Sequence, residues 1–239
     1  MSFLRLAGGA LVASTLMISL PTDAAAIPAF ARKYRVSCNL CHNPFPALTA
    51  FGEQFAGNGF RMAIDEEPKD TIATGDDLLT LPANVPLALR LDAYAQLYAD
   101  GKAATDFQLP FNLKLLSGGT LGKKLSYYIY FLFAERGEVA GVEDAFIHWN
   151  DIAGAPVDLA VGQFQVSDPM FKRELRLEVL DYAIYKVLVG LQPANLTYDR
   201  GLMASADLAG FTLTATLVNG DGIPAANELF RYDNDANKN

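Results

Sequence analysis

From Pro86 onward, apolar and polar residues alternate along the chain in short runs. Between Leu87 and Tyr98 the odd positions are all apolar, whereas the even positions are mostly polar. A period of two is the repeat of a β-strand, because successive side chains point to opposite faces of a sheet. Seven such runs predict seven strands, at residues 87–98, 107–115, 125–133, 144–149, 157–162, 202–208 and 211–217.

Turn-forming residues separate these runs, among them Asp100-Gly101, Ser117-Gly118-Gly119, Arg136-Gly137 and Asn219-Gly220. Consecutive strands joined by turns predict an antiparallel meander. One stretch, Gln165–Leu196, fits no single period. It is compatible with a folded-in loop or with another hairpin.

Strands of this kind suit two architectures. In an outer-membrane barrel, alternating segments of about ten residues turn their apolar face to lipid and their polar face to a wet lumen. In a soluble sandwich the apolar face points inward. Charges on the polar face and aromatic residues near strand ends favour the barrel. The fold predicted is therefore mainly β, an antiparallel outer-membrane β-barrel; the uneven strand count and the polar residues 231–239 predict a partial one.

The first 26 residues have the pattern of a secretory signal. Arg5 supplies the positive start, an apolar stretch runs from Leu6 to Leu20, and Ala24-Ala25-Ala26 offers small residues for cleavage. The stretch is short for a membrane anchor. We therefore expect an exported protein whose mature chain begins near Ile27.

Composition and charge narrow the possible functions. The net charge of -8 argues against a nucleic-acid partner, which requires a basic surface. It favours a cationic partner or a metal-ion substrate. No Ser-His-Asp arrangement and no phosphate-binding glycine loop in the sequence points to a hydrolase or a kinase.

The candidate chemistry lies in Cys38-Asn39-Leu40-Cys41-His42, which contains the only two cysteines of the chain. A Cys-x-x-Cys-His run is typical of c-type haem attachment. Two thiols at this spacing can reach the two vinyl groups along one edge of a porphyrin, and the adjacent histidine can then bind the iron. The sequence therefore predicts one covalent haem c, held by Cys38, Cys41 and His42.

Three other interpretations of the motif are weaker. A thioredoxin-type redox pair requires a nearby βαβ pattern, which the sequence does not show. A structural zinc site requires four ligands. A simple disulfide leaves His42 without a role.

A short helix is predicted directly after the motif, because Leu48, Phe51 and Phe55 recur at helical spacing. Gly57 and Asn58-Gly59 mark its end. Its apolar face could cover one side of the porphyrin, or could simply pack into a core.

The sequence alone does not identify the sixth ligand of the iron. Met62 follows His42 by a short loop, and a thioether would raise the reduction potential relative to a second imidazole. His148 is the alternative, since it is the only other histidine. Met170 and Met203 are remoter candidates, and a weakly ligated iron is also compatible with the sequence.

The chain resembles the fused monohaem cytochrome–porin family of bacterial outer membranes. The specific part of the resemblance is Pro28–Tyr34, the haem motif, Phe45–Leu48, Phe51-Gly52 and Asn58-Gly59-Phe60. A looser part is similar to phosphate-selective-type porins and lies in Val161–Phe164, Tyr198–Gly201 and Phe211–Gly222.

This resemblance implies a location and a role. The location is the outer membrane of a Gram-negative bacterium, in contact with lipid. The role is to take electrons from an extracellular donor, Fe(II) being favoured, to a periplasmic electron-carrier cytochrome, which would make the protein an Fe(II)-oxidising oxidoreductase. A solute porin with a haem-bearing plug and a soluble periplasmic monohaem cytochrome are the alternatives.

The expected organisation is a signal peptide (1–26), an α-helical haem segment (27–63), a linker (64–84) and porin-like strands (85–239).

Overall fold

The computed structural model describes residues 28–63, 66–68, 71–76, 80–96, 106–139, 141–166 and 198–219. Within these ranges, three short α-helices come first. They are α1 (Ala29–Tyr34), α2 (Cys38–Cys41) and α3 (Ala50–Gly57). The predicted helix after the motif is confirmed as α3. No helix among the described residues is long and apolar enough to cross a membrane.

A small hairpin follows the helices, formed by β1 (Thr71–Ala73) and β2 (Thr80–Pro82). It lies inside the stretch predicted as a linker, so this stretch has local structure of its own. The signal segment 1–26, residues 167–196 of the ambiguous stretch 165–196 and the polar residues 231–239 lie outside the described residues.

Seven long strands form one antiparallel sheet, in which each strand pairs with the next along the chain. The predicted meander and all seven predicted strands are therefore confirmed, as is the mainly β class. Among the described strands the sheet has two edges, β3 and β9, and barrel closure stays a prediction. The strands are β3 (Leu87–Gln96), β4 (Asp106–Gly122), β5 (Leu125–Glu135), β6 (Gly141–Trp149), β7 (Asp158–Gln165), β8 (Tyr198–Leu208) and β9 (Phe211–Val218).

The turn predicted at Ser117-Gly118-Gly119 is wrong. Strand β4 continues to Gly122 and turns at Lys123–Lys124. At Gly118 an added Cβ would lie 3.0 Å from Cζ of Phe30 and 3.1 Å from Cδ2 of Tyr128. The glycine therefore allows the N-terminal segment to approach the strand closely, which is a second common use of glycine within strands.

The two faces of the sheet differ in character. On β5, Tyr128 and Tyr130 are buried on the inner face, whereas Ile129 and Phe133 are exposed on the outer face. This alternation matches the predicted polar and apolar faces, but the covered face is the polar one. A soluble sandwich would cover the apolar face instead. Large apolar side chains exposed on the outer face include Leu89, Leu91, Ile147, Trp149, Val161, Leu202 and Leu217.

The N-terminal segment 28–63 covers the inner face through aromatic packing. Phe60 stacks on Tyr128, with ring centroids 4.1 Å apart and planes inclined by 13°. Phe30 stacks on the other side of Phe60 at 5.2 Å, and Phe55 meets both rings edge-on. Each such pair contributes about 0.5–1.5 kcal/mol beyond the buried area. The segment is therefore held against β5 by a continuous aromatic stack.

Two polar side chains, Arg61 and Asn150, fasten the same segment to the strand ends, and we call them the latch. Arg61 is fully buried, and its guanidinium donates to the carbonyls of Lys123 and Gly122 in the β4–β5 turn. Its Nη2 also donates to Oδ1 of Asn150 at 3.3 Å. The Asn150 amide in turn donates to the carbonyl of Asn58 at 3.3 Å. The latch thus satisfies polar groups that would otherwise be costly to bury.

Candidate haem site

The two cysteines lie on one short helix. Helix α2 begins after Ser37, whose Oγ accepts a hydrogen bond from the Asn39 amide at 3.3 Å. Residues three apart share a helix face, so Cys38 and Cys41 point to the same side. Both thiols are free; Cys38 is exposed and Cys41 half-buried. Burial, and then the neighbouring Cys38, raise the pKa of the Cys41 thiol.

The ring of His42 is oriented by the backbone. Its Nδ1 lies 2.9 Å from the carbonyl oxygen of Pro46. A carbonyl can only accept, so Nδ1 carries a proton, and in the neutral imidazole Nε2 then keeps its lone pair. Metal-binding histidines are commonly fixed in this way, with one ring nitrogen donating to a carbonyl and the other on the metal. His42 is therefore preorganised as a ligand through Nε2.

The loop after His42 folds back tightly on the motif. The amide of Asn43 donates to the Ala47 carbonyl at 3.1 Å. Thr49 donates twice to the motif, from its amide to the Cys41 carbonyl at 2.9 Å and from Oγ1 to the Leu40 carbonyl at 2.7 Å. These bonds fix both carbonyls, so the backbone that carries Cys41 and His42 cannot reorient independently of Thr49.

Helix α3 rests directly on this loop. Thr49 caps it, since Oγ1 accepts from the Gly52 amide at 3.1 Å. A Cβ at Gly52 would overlap the Cys41 carbonyl oxygen and would lie 3.1 Å from Cδ2 of Leu48. The predicted helix therefore supports the motif from below, and Phe55 on its buried side belongs to the aromatic stack.

Apolar side chains of the segment remain exposed around the motif. Leu40 and Phe45 are 40% and 60% exposed, and Phe51 and Met62 are also exposed. Two thiols on one helix face, one imidazole lone pair and exposed apolar side chains are the groups needed to hold a covalently bound porphyrin. The residues present therefore fit haem c.

The structure gives less support to the alternative interpretations of the motif. A zinc site requires four ligands, and no group of three or more His, Cys, Asp or Glu side chains able to hold a metal occurs in the described part of the chain. A thioredoxin-type pair would accompany a βαβ unit. All strand pairs of the described sheets are antiparallel.

The candidate sixth ligands lie in different surroundings. Met62 has a partly exposed side chain, and its amide donates to Oε2 of Glu66 at 3.0 Å. His148 is buried on β6 beneath Gly59, and its Nε2 lies 3.8 Å from Oδ2 of Asp158. Met203 lies on β8, two strands away from His148 on β6. Met170 lies outside the described residues.

No described contact joins His148 to His42. The His42 ring packs beside Phe45 at 5.0 Å between centroids, and the Arg90 guanidinium lies 5.1 Å from the centroid of Phe45. Arg90 belongs to β3, three strands away from β6. At the usual spacing this is about 14 Å across the sheet. Met62 follows Arg61, which the latch fastens to the β4–β5 turn and to Asn150 just after β6, so no described contact joins Met62 to His42 either.

Sequence reasoning did not find the residues that hold the segment in place. Besides the latch, Tyr34 contacts the Glu66 carboxylate at 2.9 Å and the Phe60 carbonyl at 3.1 Å. Lys33 pairs with the same carboxylate at 3.1 Å. Each of these is an ordinary residue type whose partner is distant in sequence, so no local pattern indicates its role.

The Tyr34–Glu66 contact predicts a fall in stability at alkaline pH. Burial, then the charge of Glu66 and the hydrogen bond to it, raise the pKa of Tyr34 well above its usual value. A raised folded-state pKa means that its contribution is present below about pH 10, the unfolded value, and is lost as the pH rises further. Hydrogen-exchange protection of residues 28–63 should therefore fall above about pH 10.

The matched variant for this prediction is Tyr34→Phe. It keeps the aromatic ring and the Lys33–Glu66 ion pair, and it removes the hydroxyl group that contacts Glu66 and Phe60 and accepts from Lys33. The variant should show a weaker pH dependence than the parent. An equal loss of protection in both proteins would contradict the role given to Tyr34.

Comparison with known proteins gives no relative, since no family model, curated protein or solved structure matches the chain.

Proposed function

We propose that this protein is an electron-transfer protein carrying one covalent haem c. The observation that carries the proposal is the preorganised His42, whose Nδ1 is bound to the Pro46 carbonyl and which directly follows two free thiols on one face of α2. The bound haem would supply reversible one-electron chemistry. The protein residues would hold it covalently, ligate its iron and cover it with apolar side chains.

A location in the outer membrane is the second part of the proposal. The outer face of the sheet exposes large apolar residues strand after strand, such as Leu91 (56%) and Trp149 (46%). Soluble monomers rarely expose apolar surface of this extent. In an outer-membrane barrel this face would meet lipid, and the inner face would line the lumen that the haem segment fills. The exposed face thus supports a porin-like barrel over a soluble periplasmic cytochrome.

The proposed direction of electron flow is from an extracellular donor, with Fe(II) favoured, to a periplasmic carrier cytochrome. The resemblance to cytochrome–porins and the net charge of -8 support a cationic donor. The protein would then act as an Fe(II)-oxidising oxidoreductase, with Met62 as the favoured sixth ligand.

A solute porin with a haem-bearing plug is the second candidate. The observation in its favour is the latch, because Arg61 and Asn150 fix the segment across the inner face without touching the motif. A plugged porin would conduct ions in planar bilayers when the latch is broken. It would accept electrons from Fe(II) only slowly.

An anaerobic Fe(II) titration of the purified, oxidised protein tests the main proposal. Prompt, stoichiometric change in the haem absorption spectrum is the expected result. Reduction by dithionite but not by Fe(II) would contradict Fe(II) as the donor and leave the haem assignment standing. A protein with no haem spectrum at all, after expression with haem attachment, would overturn the proposal itself.

A further inference from the structure

The haem segment differs in charge from the rest of the protein. Residues 28–63 contain four cationic side chains and one acidic one, Glu53, whereas the whole chain carries a net charge of -8. Its cations are Arg32, Lys33, Arg35 and Arg61.

Only part of this positive charge is available at the surface. Arg61 is buried in the latch, and Lys33 is paired with Glu66. Arg32 and Arg35 are exposed. Arg35 ends helix α1 and precedes the exposed Cys38 by three residues. Exposed positive charge therefore lies next to the proposed attachment point of the haem.

A third exposed cation lies in a turn of the sheet that the segment contacts. Lys123 is exposed in the β4–β5 turn, and its carbonyl accepts a hydrogen bond from Arg61 of the segment. Arg32 contacts the start of β3, where its Nη2 donates to the Leu87 carbonyl 2.8 Å away, and Leu87 pairs with Ser117 on β4, six residues before Lys123. Arg32, Arg35 and Lys123 are thus exposed cations on the docked segment or on the strands that it contacts, and we call them the cationic rim.

The lengths of the connections between strands indicate which side of the membrane this edge of the sheet would face. On the rim side, two of the three connections are two-residue turns, Lys123–Lys124 between β4 and β5 and Ala209–Gly210 between β8 and β9, and the third, between β6 and β7, spans residues 150–157. On the opposite side the connections span residues 97–105, 136–140 and 166–197. Outer-membrane barrels have short turns on the periplasmic side and longer loops outside. The rim would therefore face the periplasm.

We propose that the cationic rim docks an acidic redox protein of the periplasm, the acceptor that takes electrons from the haem. This role rests on the haem and barrel proposed above. Charges at the rim of an interface chiefly raise the association rate and select partners of opposite sign. The overall acidity of the chain predicts a cationic partner. The cationic rim predicts instead that the electron acceptor, which would bind at the rim, is acidic.

The test uses the reduced, purified full chain and two inorganic oxidants of opposite charge. They are ferricyanide, an anion, and tris(phenanthroline)cobalt(III), a cation. The test variant is Arg32→Gln with Arg35→Asn and Lys123→Gln; asparagine suits the left-handed backbone at Arg35, where φ is 56°. We expect about tenfold slower oxidation by ferricyanide at low ionic strength and little or no slowing with the cobalt complex.

A second readout is independent of electron transfer. Hexacyanocobaltate(III) is the redox-inert analogue of ferricyanide, and the width of its cobalt resonance reports binding to the protein. The parent should broaden this resonance and the variant should not. The matched control is Arg136→Asn, which removes one exposed cation at the opposite edge and keeps a residue suited to positive φ; it should behave as the parent.

The outcomes separate this inference from the proposed function. A protein that dithionite cannot reduce in the haem spectrum fails as an electron-transfer protein, whatever the rim does. Normal reduction with equal ferricyanide rates and equal line widths in parent and variant would overturn the rim. Loss of binding to anionic phospholipid vesicles, with unchanged rates and line widths, would also overturn it, since the rim would then serve the membrane surface.

Discussion

Replacing Cys38 and Cys41 together by alanine is expected to abolish covalently bound haem. The two thiols are the only ones in the chain and lie on one face of α2, so no other group can form the thioether bonds. Peroxidase staining of the protein on a denaturing gel measures the effect. The parent should stain and the double variant should not.

Loss of haem must be distinguished from loss of the fold. Neither thiol belongs to the aromatic stack, and Cys38 is exposed, so the strand signal in circular dichroism should persist in the variant. Ser37→Ala is the control, since it alters only the cap of α2 and should keep the stain. A double variant that stains as strongly as the parent would refute covalent attachment at this motif.

Replacing Arg61 by methionine is expected to release the N-terminal segment 28–63 from the sheet. The guanidinium is fully buried and donates to the Lys123 and Gly122 carbonyls and to Asn150. Hydrogen bonds from a charged donor contribute about 1.5–3 kcal/mol each, and methionine would leave the buried acceptors unpaired. A loss of about 3 kcal/mol corresponds to a rise of roughly 100-fold in the population with the segment undocked.

Hydrogen exchange measures this release directly, because undocking exposes amides of residues 28–63 while the strands stay protected. The control is Arg32→Gln, at an exposed arginine whose described hydrogen bond is to a single carbonyl; exposed sites usually change stability by less than about 0.5 kcal/mol. Uniform loss of protection in segment and sheet would show that Arg61 stabilises the whole fold. Unchanged exchange would show that the latch contributes nothing.

The strands could be predicted from the sequence because each has one apolar and one polar face over its whole length. Which face is covered could not be predicted from any single strand. That depends on Phe30, Phe55 and Phe60, which lie far earlier in the chain and pack on the polar side. The same distant contact explains the incorrect turn, since Gly118 makes room for Phe30 rather than reversing the chain.

Part of the candidate site could likewise be predicted from the sequence, and part could not. Cys38, Cys41 and His42 are adjacent in sequence, so their chemistry can be predicted locally, and so can helix α3 beneath them. The bond from His42 to the Pro46 carbonyl depends on the fold of a short loop. The latch joins residues 61 to 92 positions apart, and the sixth ligand depends equally on tertiary placement, so neither follows from spacing.

The order of the latch along the chain has a consequence for biogenesis. Arg61 precedes Gly122, Lys123 and Asn150, the partners that the latch gives it, so these residues are synthesised later. Until they are made, the segment has nothing to dock on, and docking must follow the synthesis of β4, β5 and β6. Because Cys38 stays exposed in the docked segment, the haem attachment proposed above could come before or after docking. The order of folding would then be set by the chain, whereas a cell short of haem could still load the folded protein later.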